Sequence, residues 1–341
     1  MTYLLNAILN HPKLHTINLS DNAFGPTAQE PLIKFLSSHV PLEHLFLANN
    51  GLGPEAGCNI AEALATLAQA KSSGAAGGAS LDSATQNGTQ VESPPLKTLV
   101  CGRNRLGDAS MAPWAKCFNS NRSLTTIRMP QNGIRPDGIA VILRDGIAHD
   151  HDLKVLDLQD NTFTLKGALA LADVLPDLSN LTDLGVGDCL LSARGGVVVA
   201  EALKKATNTK LEYVRLQYNE IESGGAMEFL SAAEFGLPAL KMIEFNGNKF
   251  ADDDEAVERF RSLFLERGEG EMDELDDMEE VSTEEEYSDE EESETEGFGR
   301  ASAARDILNK ETKEAEEEVV APEEDKTTDE LANMLQKTRI A

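Results

Sequence analysis

Residues 153–163 read LKVLDLQDNTF, and the rest of the chain repeats them. Leucine stands at 153, 156 and 158, asparagine at 161 and phenylalanine at 163. The template L-x-x-[LIV]-x-[apolar]-x-x-N-x-[apolar] returns at Leu14, Leu42, Leu96, Leu124, Leu181, Leu211 and Leu240, with Cys189 once in the Asn place. Starts lie 28 to 30 residues apart, except between Leu42 and Leu96. Side chains of an extended segment alternate between two faces, so Leu156 and Leu158 point into a core. Val155 and Asp157 are left on an open inner face. The Asn falls where the strand turns, and its amide can bond backbone groups that no strand partner reaches. Stacked copies should align Asn22, Asn50, Asn104, Asn132, Asn161, Asn219 and Asn248 in one row. Cys189 fits that row as a small buried residue with weaker hydrogen bonding.

A period near 29 residues is the signature of long leucine-rich repeats, each with one strand and one helix. The predicted fold is α/β: a ribonuclease-inhibitor-like horseshoe with a parallel inner sheet and outer helices. A strand, a helix and a return to a parallel neighbour give right-handed coils. Helices are predicted over 26–38, 54–69, 112–118, 136–148, 165–174, 193–206, 224–235 and 252–265, with the end of another over 2–11. Pro26, Pro54 and Pro136 sit near helix starts, where a missing N–H costs little. The long gap holds a Gly/Ser/Ala/Pro-rich insert, 71–95, read as a flexible loop. The repeat domain is placed at 1–267.

Formal net charge is −29 over 341 residues, but it is uneven. Residues 268–341 carry 28 Asp plus Glu against 7 Lys plus Arg. From 269 to 296 there are 17 acidic residues and no basic ones. Repulsion and the lack of apolar residues predict a disordered acidic tail over 268–299. Such a tail can be a solvating segment or an electrostatic arm for a basic partner. Residues 300–341 are expected to be mostly disordered, with a short helix at 328–337. Nucleic acid is disfavoured, because phosphate needs a basic stripe. No apolar run predicts a signal peptide or a membrane span. The four cysteines have no CxxC spacing, and reduced buried thiols are the expectation.

Residues that could carry chemistry are scarce. No Walker loop, dinucleotide loop or G-x-S-x-G occurs. His149 and His151 flank Asp150, a weak metal pattern that fits a solvated helix end better. The more informative feature is the residue before each ladder Asn, which should line one rim. These residues are Asp21, Asn49, Arg103, Gln131, Asp160, Asp188, Tyr218 and Gly247. The inner face adds Arg128, Asp157, Arg215 and Glu244. Adjacent parallel strands lie about 4.8 Å apart, so neighbours here can touch one partner together. Such a row can be a protein contact surface or an ordinary hydrated rim.

The wording of several segments narrows this choice. They are LSDNAFGPTAQEPL at 19–32, NNGLGPEAG at 49–57, CGRNRL at 101–106, QNGIRPDGI at 131–139, DCLLSARG at 188–195, RLQYNEIE at 215–222 and ELDDMEE at 274–280. Over about residues 4–281 the chain resembles the fungal Ran GTPase-activating proteins. Family members carry further repeat material before the part matching Tyr3, so the chain is shortened at its N-terminus by comparison. The resemblance implies a cytoplasmic, monomeric activator of the small GTPase Ran in its GTP form, acting in nucleocytoplasmic transport. The nuclear envelope and the nucleus are further expected locations, and a Ran-binding protein is a further expected partner. It also implies that Asn49, the first of an Asn pair, helps hold Ran's catalytic glutamine. The activator needs no cofactor of its own, since GTP and Mg²⁺ travel with the GTPase. Asp21, Asn50, Arg103, Gln131, Arg128 and Asp160 are the expected contacts. The alternative is a leucine-rich-repeat scaffold that binds a protein without altering nucleotide turnover.

Overall fold

The computed structural model describes residues 2–9, 11–72, 93–205 and 207–279. They belong to one compact unit, Met1–Thr283. Each template copy yields a three-residue strand: β1 Thr16–Asn18, β2 His44–Phe46, β3 Thr98–Val100, β4 Thr126–Arg128, β5 Val155–Asp157, β6 Asp183–Gly185, β7 Tyr213–Arg215 and β8 Met242–Glu244. A further strand, β9 Glu271–Met272, follows them. The sheet is parallel throughout, with strands in sequence order. Equivalent template positions pair, so Ile127 faces Leu156 and Leu156 faces Leu184. Register is fixed because a one-residue slip would turn every core leucine to the open face.

The helices are α1 Thr2–Ile8, α2 Gln29–Leu36, α3 Gly53–Ser72, α4 Met111–Ser120, α5 Pro136–Val141, α6 Thr164–Val174, α7 Ser192–Lys204, α8 Ser223–Phe235 and α9 Glu255–Arg267. A π-helical segment, Ile142–Ile147, prolongs α5. The template leucines and the inner helix faces make one continuous core. Trp114, Phe118, Phe163, Phe229 and Phe245 are its largest members. Burying each such side chain stabilises the fold by about 2–3 kcal/mol, so the repeated leucines together outweigh any surface term. The α/β solenoid expected from the repeat is what the residues build.

The Asn row forms as a ladder. The backbone N–H of Asn50 donates to Asn104 Oδ1 at 3.0 Å, that of Asn104 to Asn132 Oδ1 at 2.9 Å, and that of Asn132 to Asn161 Oδ1 at 3.1 Å. Each Nδ2 reaches carbonyls of its own turn and of the preceding coil, as Asn132 does to Met129 and Cys101. Cys189 interrupts the side-chain chain: its thiol lies 3.3 Å from the Gly187 carbonyl and 3.5 Å from that of Leu158. Asn22 stands exposed at the first coil, although its N–H still donates to Asn50 Oδ1 at 3.2 Å.

A second row runs along the opposite edge, three residues before the template leucines. There His39, Asn121, Asp150 and Asn208 offer carbonyls to the N–H of Leu42, Leu124, Leu153 and Leu211. Asn208 Nδ2 donates to Leu175 and Leu178 carbonyls at 2.8 and 2.9 Å, and Asn121 Nδ2 to the Cys117 carbonyl at 2.9 Å. Asp150 is 1 % exposed, and its carboxyl oxygens are buried without a well-formed hydrogen bond. Burial pushes its pKa up to about 7, against weaker support for the charge from the Asp152 backbone N–H.

Two boundaries differ from the sequence reading. The repeat unit does not end at 267. Met272, Leu275 and Met278 pack against the core, while the acidic residues between them bind the last coil. Asp273 accepts from the N–H of Phe245 and Asn246 at 2.7 and 2.9 Å, and Asp276 accepts from Asn246 Nδ2 at 2.8 Å. The beginning of the acidic segment therefore covers the sheet's last edge, as a solenoid end requires. The insert begins later than 71, because α3 runs to Ser72. Lys71 Nζ reaches the carbonyls of Leu42 and Pro94 at 2.5 and 2.6 Å, tying together the chain on either side of the insert. Residues 73–92, the acidic run from 280 and the expected helix at 328–337 lie outside the described residues.

Candidate functional site

The rim is set by backbone geometry that the template does not announce. Asp21, Asn49, Arg103, Gln131, Asp160, Asp188 and Tyr218 all have positive φ, between 51° and 62°. This left-handed conformation costs an ordinary residue roughly 1–2 kcal/mol. Asn and Asp adopt it most readily, and they fill four of the seven places. The cost is met by the sheet, whose ladder continues through these turns. The N–H of Asn49 donates to the Gly102 carbonyl at 2.9 Å, that of Arg103 to Pro130 at 2.9 Å and that of Gln131 to Gln159 at 2.9 Å. Each side chain is thereby thrown outward at a fixed step from the next.

Asn49 is exposed, and its Nδ2 donates to Asp21 Oδ1 at 2.9 Å. Asn50 is the opposite. It is 1 % exposed, and its Nδ2 is spent on the carbonyls of Leu19, Leu47 and Ala48. Its place among the expected contacts is corrected on that ground: it is a ladder residue and cannot reach a partner. Farther along, Gln131 hydrogen-bonds Asp160, whose pKa is raised by partial burial and by Asp188 beside it. An open depression of about 540 Å³ follows, lined by Arg105, Gln131, Gly133, Asp160, Asp188 and Leu190.

The inner face is more closed than expected. Arg128 pairs with Asp157 at 3.2 Å and Asp183 at 3.7 Å, and Arg215 pairs with Asp183. Asp157 is only 5 % exposed, because Arg128 covers it. Asp157 is thus corrected from an open residue to a buried partner, and the Arg128 guanidinium is already committed within the sheet. At the last coils, Tyr218 hydroxyl donates to Asp277 Oδ2 at 3.0 Å, and its ring lies over Gly247. A Cβ at Gly247 would stand 2.2 Å from that ring, so only glycine fits there. The acidic residues up to Glu279 therefore reach the far end of the rim through Asp277. The contacts among rim residues were not legible in sequence. Met272, Leu275 and Met278, spaced by three, were the signal for the cover.

His149 is exposed, and His151 Nδ1 lies 3.0 Å from the Asp177 carbonyl. Among the described residues no group of three or more His, Cys, Asp or Glu could hold a metal ion. The described cysteines are free, and burial pushes the thiols of Cys101, Cys117 and Cys189 up to about 12. No helix among the described residues is long and apolar enough to cross a membrane.

A family model described as "Leucine Rich repeat" matches residues 149–172 and 207–230. Among curated proteins, Ran GTPase-activating protein 1 of Saccharomyces cerevisiae is 37% identical over 268 residues, 77% of this chain and 62% of that protein. Ran GTPase-activating protein 2 of Caenorhabditis elegans is 41% identical over 128 residues, 37% of this chain and 12% of that protein. The Ran GTPase-activating protein of Drosophila melanogaster is 30% identical over 243 residues, 71% of this chain and 38% of that protein. The chain spans less than two thirds of the length of each. Over its repeat domain the chain is similar to these Ran GTPase-activating proteins.

Proposed function

We propose that this chain activates the GTPase of Ran, with Asn49 orienting Ran's catalytic glutamine. The observation that carries the reading is the contrast within the Asn49–Asn50 pair. One amide is consumed by the ladder, and the other stands on the rim with its Oδ1 unbonded among the described residues. GTP hydrolysis needs the attacking water oriented and the γ-phosphate charge stabilised. A carboxamide donates and accepts at once, so it can be held through its NH₂ while its oxygen takes another carboxamide. The chain then contributes positioning alone, and GTP and Mg²⁺ are carried by the partner. Arg103, Gln131 and Asp160 belong to the contact surface. Arg128 acts through the sheet by holding Asp157 and Asp183. The chain works as a cytoplasmic monomer in nuclear transport.

The test is single-turnover hydrolysis of Ran-bound GTP, with the chain and with Asn49→Gly. Glycine accepts the positive φ, so this truncation adds no backbone strain. Misplacing a reacting group costs about a hundredfold in rate, and a loss of that order is expected. Equal rates for the two proteins would remove Asn49 from the mechanism. Complex formation with no acceleration by either would favour the scaffold reading.

A further inference from the structure

The Asn49 carboxamide is not free to turn. Its Nδ2 donates to Asp21 Oδ1 at 2.9 Å. A carboxylate only accepts, so the reverse orientation would set two acceptors against each other. Neither residue can back away. Asp21 and Asn49 hold φ of 62° and 55°, and their N–H groups are bonded to Ala48 and Gly102 carbonyls at 2.9 Å each. The two Cα atoms are thus fixed on adjacent coils, and only side-chain torsions remain. We infer that Asp21 is a positioning residue that locks Asn49 with its Oδ1 outward, as an acceptor.

This rests on the GTPase reading and deepens it. A glutamine docked on Asn49 gives its N–H to the outward Oδ1. Its own oxygen is then left to accept from the attacking water. An unlocked Asn49 would present either end and would hold the glutamine in two poses, one of them wrong for the water. Asp21 touches neither nucleotide nor water in this scheme and acts only through Asn49.

Three variants test it: Asp21→Gly, which removes the carboxylate without strain at positive φ, Asp21→Asn, whose Oδ1 can accept the same bond, and Asp21→Gly combined with Asn49→Gly. Charge-assisted hydrogen bonds are worth enough to lower the rate at saturating activator about tenfold in Asp21→Gly. The half-saturating concentration should stay within about twofold, because the bond is internal to the activator. Asp21→Asn should keep most of the rate, and the double variant should match Asn49→Gly alone. Asp21→Gly at full rate, beside a slow Asn49→Gly, would overturn the inference and leave the GTPase reading standing. A change confined to the half-saturating concentration would overturn it too, making Asp21 a contact residue. A second readout needs no GTPase: the ¹⁵N-resolved side-chain amide of Asn49 in the free protein. Its two protons should be separated and protected in the parent and should collapse toward exposed-amide values in Asp21→Gly. An unmoved signal would overturn the inference whether or not the parent accelerates hydrolysis.

Discussion

Asn49 and Asn50 are adjacent, chemically identical and opposite in use. Asn50 gives its amide to three carbonyls and receives the Asn22 N–H, all inside the solenoid. Asn49 gives one hydrogen bond to a neighbouring rim carboxylate and turns its oxygen to solvent. Nothing in the side chains separates them. The difference is one step along a turn, which leaves the first amide on the exposed rim and buries the next in the ladder. In a repeat protein, then, residue type says little about role. Position within the template says most of it, because the same position recurs on every coil with the same backbone bonds.

The strongest way to break this comparison is to exchange the costs. Asn132→Ala removes an amide that donates to the Cys101 and Met129 carbonyls and accepts from Asn104 N–H. Buried groups left unpaired cost about 1–3 kcal/mol each, so a loss of roughly 3 kcal/mol or more is expected in urea unfolding. Asn49→Gly should change stability by less than about 1 kcal/mol, since the residue is exposed and its conformation suits glycine. The ladder variant should keep normal activation per folded molecule, and the rim variant should lose it. If Asn49→Gly unfolds as readily as Asn132→Ala, the division between the two rows is wrong.

The opposite edge sharpens the same point at smaller magnitude. Asn121, Asp150 and Asn208 hold one template position, but only Asp150 lacks an amide to reach carbonyls. Its carboxyl therefore prefers to stay protonated in the fold, with a pKa near 7 against an ordinary 3.8. Between those values the unfolded chain has released a proton that the native chain keeps, so stability falls as pH rises from about 4 to 7. Asp150→Asn should supply the missing donor and remove this slope. The variant is expected to gain roughly 2–4 kcal/mol at pH 8 and little at pH 4, read from urea midpoints at the two pH values. A gain that is equal at both would assign the effect to packing instead of ionisation.

Much of the fold was legible because the template is dictated by burial. Leu156 must point inward on every coil, so its spacing is written eight times. The rim was legible only as an ordered list of residues. Its positive φ values follow from the ladder bonds of neighbouring coils, and no single residue encodes them. The Asp21–Asn49 and Gln131–Asp160 contacts join residues 28 and 29 positions apart, whose pairing depends on the register of the coils. Arg128 and Asp157 read as two open charges because a strand template gives faces but not cross-strand partners. The first acidic residues, 269–279, were misread for the reverse reason. Charge density masked Met272, Leu275 and Met278, whose burial holds the segment on the last coil.

The smallest effect tests whether rim residues are chosen for conformation or for contact. Arg103 holds a φ of 58° with no polar group close to its backbone, unlike Asn or Asp. Arg103→Asn should therefore relieve part of the left-handed cost and stabilise the fold by about 0.5 kcal/mol. A role for the arginine must then come from what its side chain reaches. Arg103 favours the charge on Asp160 across the rim, and its guanidinium has reach beyond that. The substitution should thus raise the urea midpoint slightly and weaken half-saturation of Ran-bound GTP hydrolysis severalfold, with the rate at saturation kept. A variant that is more stable and equally active would make Arg103 a neutral passenger and would confine the working rim to the Asp21 and Asn49 coils.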